Sequence, residues 1–144
     1  MSDYLKLENQ LCFPIYALSR QITNMYRPML DELGLTYPQY LVLMVLWEEK
    51  KVNVKQLGEK LWLDSGTLTP LLKRMEANGW LTRERSSKDE RSVEIALTDK
   101  GLLLEKKAKK IPQEIKCKMK MDDQEIASLR NYLKKILFTS SENK

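Results

Sequence analysis

The sequence contains no histidine and has only two cysteines, Cys12 and Cys117, among its 144 residues. The lack of histidine excludes catalysis by Ser-His-Asp or Cys-His groups and the common histidine-containing zinc sites. Two cysteines are too few for a secreted disulfide scaffold, and in a reducing compartment a disulfide between them is more typical of regulation than of structure. We therefore expect no metal and no other cofactor.

Glycine and proline are also scarce, with 5 of each, whereas 42% of the residues are hydrophobic and 31% are charged. This composition predicts a soluble, helix-rich globule, and the length predicts a single domain over residues 1–144. The longest apolar run, Tyr40 to Trp47, is too short to span a bilayer, and the first residues do not resemble a signal peptide. We expect a cytoplasmic protein with no membrane partner.

Positive charge is in modest excess. Lys and Arg number 25 against 20 Asp and Glu, which gives a net charge of +5 and a pI near 9.1. Such an excess suggests a polyanionic partner, although many ordinary proteins carry as much.

Apolar residues at intervals of three and four positions predict a first helix over about residues 5–31. Pro14 interrupts this pattern, so that it either bends the helix or marks the point at which regular helix begins. Gly34 is expected to end the helix.

Residues that can cap a helix open each of the next four predicted helices. The candidate caps are Thr36 or Tyr37, Asn53, Asp64 or Ser65, and Thr98. The fourth helix has a clean inward-facing stripe, formed by Leu68, Leu71, Leu72 and Met75. The fifth helix is expected to run to about Lys110, with Pro112 disturbing its end. Asp122 and Glu125 form a capping-box pattern that is expected to open the last helix, which leaves Cys117 between the two helices.

Between the fourth and fifth helices the hydrophobic period changes to two, which predicts strands over residues 80–85 and 92–97 joined by a polar loop. A short helix, a tight turn, a second helix and a hairpin are the layout of a winged helix-turn-helix. The expected fold class is therefore mainly α with a small β-hairpin wing, and the expected DNA-binding lobe spans residues 53–97.

The fourth helix keeps several small hydroxyl or basic residues outside its apolar stripe. They are Ser65, Thr67, Thr69, Pro70, Lys73 and Arg74. Residues of these types near a helix N-terminus can contact phosphates or bases in a major groove, and Arg91 in the hairpin loop is placed to enter a minor groove. Each feature alone is more typical of a solvated helix face or an ordinary exposed loop, but their ordered combination in a basic chain favours DNA.

Several motifs resemble the MarR family of repressors and its OhrR-type branch, which senses organic hydroperoxides. The DNA-binding core is matched by residues 54–59 and 63–76, the wing and the following helix cap by 88–92 and 97–101, and the OhrR-type branch by 7–13 and 35–40. The similarity covers about residues 5–105.

The resemblance implies an intertwined homodimer built from residues 5–31 and 98–139 of each subunit. It also adds Lys88 and Asp89 to Arg91 as wing residues that bind DNA. Because two recognition helices then enter successive major grooves, the expected partner is double-stranded operator DNA with an inverted repeat.

The resemblance further implies that Cys12 is a peroxide-reactive cysteine. Tyr26 and Tyr37 match tyrosines that, in the family, reach this cysteine from the partner subunit, and Tyr16 lies one helical turn from Cys12. A phenol hydroxyl can donate to a thiolate, which a reactive thiol requires. The alternative is that Cys12 is a small buried hydrophobe.

Cys117 has two possible roles under this resemblance. In one branch of the group a second cysteine near this position closes an intersubunit disulfide with the oxidised first cysteine, and in the other branch a small thiol caps the first cysteine instead. The presence of Cys117 suggests the two-cysteine branch, although it could be an incidental surface residue. Pro14 departs from the family pattern beside Cys12.

The function expected from these observations is a transcriptional repressor that leaves its operator when an organic hydroperoxide oxidises Cys12. The alternative is a repressor released by a small aromatic or lipophilic effector in the dimer cleft. A thiol peroxidase is disfavoured because the chain has no Cys-x-x-Cys motif and no histidine base. A purely structural helical protein would leave the winged segment without a purpose.

Overall fold

The computed structural model describes residues 2–89 and 91–141, so that Glu90 of the predicted hairpin loop lies outside the described residues. The chain forms two units, residues 1–109 and 110–144. The first unit contains helices α1 (Cys12–Leu33), α2 (Tyr37–Glu49), α3 (Val54–Leu61), α4 (Ser65–Ala77) and α5 (Asp99–Ala108), and strands β1 (Lys51–Asn53), β2 (Leu81–Arg85) and β3 (Val93–Leu97). The second unit contains α6 (Ile111–Met119) and α7 (Asp123–Ser141).

The first helix begins at Cys12, so the prediction of helix from residue 5 is wrong for its first seven positions. Two short 3-10 turns precede the helix, and the Gln10 side-chain amide holds them by donating to the carbonyls of Tyr4 (2.7 Å) and Lys6 (2.8 Å). Pro14 is the third residue of α1, where a missing N–H breaks no intrahelical bond. Pro14 therefore lies in the first turn of the helix, close to the second of its two predicted placements.

Local signals fix the boundary between α1 and α2 as predicted. Gly34 ends α1 in the left-handed conformation, with φ of 73°. Thr36 caps α2 by accepting from the Gln39 N–H, and the Gln39 side chain accepts from the Thr36 N–H in return. Of the two candidate caps, Thr36 is the one used.

The helix-turn-helix consists of α3 and α4. Asn53 caps α3, Trp62 makes the left-handed turn, and Asp64 caps α4 by accepting from the Thr67 N–H at 2.7 Å. The predicted inward stripe of α4 is buried, with Leu68, Leu71, Leu72 and Met75 all at most 8% exposed. This stripe anchors α4 in the core and leaves the opposite face outward.

The wing is a three-stranded antiparallel sheet in the order β1-β3-β2. The two predicted strands are confirmed within one residue, with Leu81 paired to Leu97 and Arg85 to Val93. Strand β1 was not predicted, and it pairs Val52 with Ile95 at the other edge of β3.

In the second unit the expected connection is itself a helix. The fifth helix ends at Ala108, and α6 begins at Ile111 with Pro112 in its first turn, where proline is favoured. Cys117 therefore lies in the last turn of α6, and the prediction that it lies between two helices is wrong. The predicted capping box of Asp122 and Glu125 opens α7.

Candidate DNA interface and thiol site

The outward face of α4 presents the residues that the sequence predicts to bind DNA. All six are exposed: Ser65, Thr67, Thr69, Pro70, Lys73 and Arg74. The Thr69 hydroxyl donates to the Ser65 carbonyl at 2.8 Å, so its hydrogen is used within the helix. The N–H of Thr67 lowers the pKa of the Asp64 carboxyl, which keeps the cap ionised and the first turn of the helix fixed.

Hydrogen bonds to Asp89 hold the turn at the tip of the wing. Asp89 accepts from the Arg91 N–H through its carboxylate (3.0 Å) and from the Ser92 N–H through its carbonyl (2.9 Å). The side chains of Lys88 and Arg91 are exposed at this turn. Asp89 thus has an internal partner that holds the tip in place, whereas Lys88 and Arg91 are open to a polyanion.

Cys12 is the first residue of α1, and it is exposed in the single chain. Tyr16, one turn further along, is 61% exposed, and the Arg20 guanidinium lies 5.5 Å from the centroid of its ring. Cys12 and Tyr16 are therefore accessible within one protomer rather than buried in its core.

Tyr26 and Tyr37 meet in an aromatic cluster at the other end of α1. Their ring centroids are 4.9 Å apart, and Tyr40 completes the cluster at 5.8 Å and 6.2 Å from them. Burial, and secondarily the neighbouring Tyr37 and Tyr40, raises the pKa of Tyr26 to about 12. Burial also raises the pKa of Tyr37 and Tyr40, so all three hydroxyls stay protonated at neutral pH and can donate.

Cys12 and Tyr26 do not meet within one protomer. They lie fourteen residues apart on the same helix, which is about 21 Å at 1.5 Å per residue. The tyrosine cluster and Cys12 are therefore separate from one another in the single chain.

Tyr40 and Trp47 extend the cluster along α2, and neither was predicted as a site residue. Tyr40 is 3% exposed, and the Trp47 ring meets it edge-on at 6.2 Å. Both lie in the apolar run of α2, which predicted only that they are core residues. The sequence signal that could have pointed to them is two large aromatic residues seven positions apart, on one face of the helix.

Cys117 is exposed near the C-terminal end of α6. The Gln113 side-chain amide lies 3.8 Å from its sulfur. The adjacent Lys116 is paired with Asp123 at the start of α7. Cys117 therefore lies in an ordered turn that an approaching thiol or sulfenic acid can reach.

The described part of the chain has neither a cluster of metal-binding side chains nor a membrane-spanning helix. Over residues 2–89 and 91–141, no three or more Cys, Asp or Glu side chains are grouped so as to hold a metal ion. None of the helices described is both long enough and apolar enough to cross a membrane.

Comparison with known proteins places these features among transcriptional regulators. The family of transcriptional regulators SarA/Rot matches residues 24–107. The chain is 53% identical over 137 residues to the organic hydroperoxide resistance transcriptional regulator of Bacillus subtilis, covering 95% of this chain and 93% of that protein.

Two proteins of known structure are similar to this chain in fold and sequence. AbfR of Staphylococcus epidermidis is 38% identical, with 94% of each chain covered and a TM-score of 0.77. AbfR has also been solved in reduced and overoxidized forms bound to DNA and in a disulfide-formed state, with TM-scores of 0.74, 0.75 and 0.62. A mutant MarR from E. coli complexed with operator DNA is 26% identical, covers 94% of this chain and 99% of that one, and has a TM-score of 0.80.

Proposed function

Because the chain belongs to the MarR family of winged-helix transcriptional regulators, in the group of the organic hydroperoxide regulators, we propose that it is a repressor that leaves its operator when Cys12 is oxidised. The chain is a regulator and not an enzyme. The observation that carries the proposal is the outward face of α4, where six candidate contact residues are exposed, as are Lys88 and Arg91 at the wing tip.

The proposed active form is a homodimer. Leu11, just before α1, and Ile15 and Leu18 in the N-terminal half of α1 are between 41% and 73% exposed, at three- and four-residue spacing. None of the described side chains of α7 is buried, and its Leu129, Leu133, Ile136 and Leu137 are 38% to 44% exposed. Apolar stripes of this kind support a second copy as their cover. The operator is then an inverted repeat whose half-sites are about 34 Å apart.

The proposed sensing step is the two-electron oxidation of Cys12 by an organic hydroperoxide. The thiolate sulfur attacks the terminal oxygen of the ROOH group, and the O–O bond breaks. The sulfur becomes a sulfenic acid, and the RO⁻ group leaves and takes up a proton to form the alcohol. Protonated tyrosines supplied by the second copy, Tyr26 and Tyr37, are suited to donate to the thiolate and to the leaving oxygen.

The proposed second step is a disulfide with the partner subunit's Cys117. Its thiol attacks the sulfenic sulfur of Cys12, an S–S bond forms and water is released. The exposure of Cys117 and the disulfide-formed state of AbfR support this step. Capping of Cys12 by a small thiol is the competing course.

The test is a gel-shift with the DNA upstream of the protein's own gene, before and after cumene hydroperoxide. Wild type is expected to bind the DNA when reduced and to leave it when oxidised. Cys12→Ser is expected to dimerise and bind equally, yet to stay bound when peroxide is added. Release of Cys12→Ser by peroxide would contradict oxidation of Cys12 as the signal.

The second candidate is control by a small aromatic or lipophilic effector. A cavity of about 210 Å³ beside the tyrosine cluster favours it, with Thr23, Arg27 and Tyr37 among its lining residues. In that case an effector would release wild type and Cys12→Ser alike, and peroxide would release neither.

A further inference from the structure

The tyrosine cluster is connected to the core through one buried ring. Tyr40 contacts Tyr26 and Tyr37 on one side and the edge of Trp47 on the other. Tyr40 and Trp47 are two turns apart on α2, so they share a helix face. Because Tyr40 is buried and packs against Tyr26, Tyr37 and Trp47, a movement of Tyr26 toward the core would press on Tyr40 and, through it, on Trp47.

Trp47 continues the connection through hydrogen bonds. Its indole Nε1–H donates to the Gly101 carbonyl at 3.0 Å. The Gly101 N–H donates to the Thr98 hydroxyl oxygen at 3.1 Å, and that hydroxyl donates to the Gly79 carbonyl at 2.6 Å. Gly79 comes directly after Asn78, which caps the C-terminal end of α4, so the chain of contacts ends just beyond the recognition helix.

The middle of this connection has no room to absorb a displacement. A Cβ atom on Gly101 would lie 2.3 Å from the Trp80 carbonyl oxygen and 2.7 Å from the Leu97 side chain. The start of α5 is thus pressed against the residue that leads into β2. Trp47 is therefore bonded to a residue that packs closely against Trp80, which lies between α4 and β2.

We propose that Trp47 is a positioning residue that couples the tyrosine cluster to the recognition helix. The relay, defined as Tyr40, Trp47, Gly101, Thr98 and Gly79, rests on the proposed function, because it is the path by which an event at Cys12 changes the angle of α4. Trp47 lies outside the DNA face and outside the thiol site. Its role is to make the affinity for DNA depend on the state of Cys12.

Coupling of two sites is measured as a ratio of affinities. The experiment determines the Kd for a fluorescent operator duplex by anisotropy, with reduced protein and with protein oxidised by cumene hydroperoxide, while mass spectrometry follows the oxidation of Cys12. Wild type is expected to show a ratio of oxidised to reduced Kd above about tenfold. Trp47→Phe keeps an aromatic ring but removes the donor, and it is expected to lower this ratio at least about fivefold.

Two controls separate coupling from stability. Trp62→Phe makes the same chemical change at the exposed turn after α3 and is expected to keep the wild-type ratio. Thr98→Val removes the hydroxyl of the relay and is expected to lower the ratio, whereas Thr98→Ser keeps the hydroxyl and restores it. If Trp47→Phe does not fold, the comparison of Thr98→Val with Thr98→Ser tests the relay in its place.

The outcomes are distinct. If oxidised wild type keeps its DNA, the proposed function fails and the relay fails with it. If wild type is released and Trp47→Phe weakens binding equally in both states, the ratio is unchanged and only the relay is overturned. A lower ratio with normal Cys12 oxidation supports both.

Discussion

The Arg83 guanidinium forms a hydrogen-bonded ion pair with the Glu76 carboxylate and so links the recognition helix to the wing. Arg83 donates from Nη2 at 3.1 Å and from Nε at 3.3 Å to Oε1, and its backbone N–H donates to Oε2 at 3.2 Å. Glu76 lies in the last turn of α4 and Arg83 in the middle of β2. The pair therefore fixes the direction in which β2 leaves the helix.

Glu76→Ala should destabilise the wing and weaken DNA binding although Glu76 does not face DNA. The pair is partly exposed, at 39% for Glu76 and 26% for Arg83, so the expected loss in the free energy of unfolding is about 1 kcal/mol. Urea titration and anisotropy measure the two effects. The control is Glu94→Ala, which removes the more exposed pair with Lys51 and should lower the free energy of unfolding less than Glu76→Ala does. A larger loss in the control would contradict the special role of Glu76.

Arg91→Ala should weaken operator binding and make it less sensitive to salt. Removal of one phosphate-binding charge reduces the slope of log K against log salt by about one. Lys107→Ala is the matched control, because it removes one exposed positive charge from α5 rather than from α4 or the wing. If both variants showed the wild-type slope between about 50 and 200 mM salt, the assignment of the wing tip to DNA would be wrong.

Burial of Tyr26 makes stability depend on alkaline pH. Its pKa is raised from 10.0 to about 12, so the folded state holds the proton to higher pH than the unfolded state. The contribution is complete below pH 10.0 and is lost as the pH rises toward 12. Tyr26→Phe should therefore show a shallower fall in the free energy of unfolding over this range than wild type.

Tyr4→Phe is the control for this alkaline effect, because the Tyr4 side chain is 89% exposed. It should follow the wild-type curve, measured by urea unfolding at several pH values. A wild-type slope in Tyr26→Phe would show that the cluster does not hold the proton.

Gly101→Ala should destabilise the protein strongly, because the new Cβ would lie 2.3 Å from the Trp80 carbonyl oxygen. Relief of such a close approach requires a backbone shift, which costs about 1–3 kcal/mol or more. Gly66→Ala is the matched control, since its Cβ would lie 3.5 Å from the Asp64 carboxylate, an ordinary van der Waals distance. Thermal unfolding should show a clear drop for Gly101→Ala and little change for Gly66→Ala.

Features set by neighbours in sequence could be predicted, and those set by distant contacts could not. The caps Asn53 and Thr98 were found because a capping side chain bonds to a backbone N–H three residues away. Strand β1 was missed because three residues are too few to show an alternating pattern, and its pairing with Ile95 joins positions far apart in the chain. Helix α6 was missed because Pro112 was interpreted as disturbing the end of one helix, whereas it opens the next.

The candidate site likewise contains residues that local sequence patterns predicted and contacts that only the tertiary structure revealed. The outward residues of α4 follow from helical periodicity alone, and all are exposed. Tyr26 and Tyr37 came from a resemblance, and their contact with Tyr40 depends on how α1 packs on α2. The Trp47 bond to Gly101 spans 54 positions, which no local pattern reports.

The last prediction concerns the fate of oxidised Cys12. A disulfide between Cys12 and Cys117 requires their Cα atoms to lie within about 7 Å of each other. Cys117 lies in the last turn of α6, a short helix of nine residues. We expect peroxide-treated wild type to run as a covalent dimer on non-reducing SDS gels and to return to monomer with dithiothreitol. Cys117→Ser should lose this dimer, while its Cys12 is still oxidised and is open to small thiols or further oxidation. Mass spectrometry of tryptic peptides should show Cys12 linked to Cys117. If only small-thiol adducts or intramolecular links were found in wild type, the crosslink would be excluded and capping of Cys12 by a small thiol would be the operating switch.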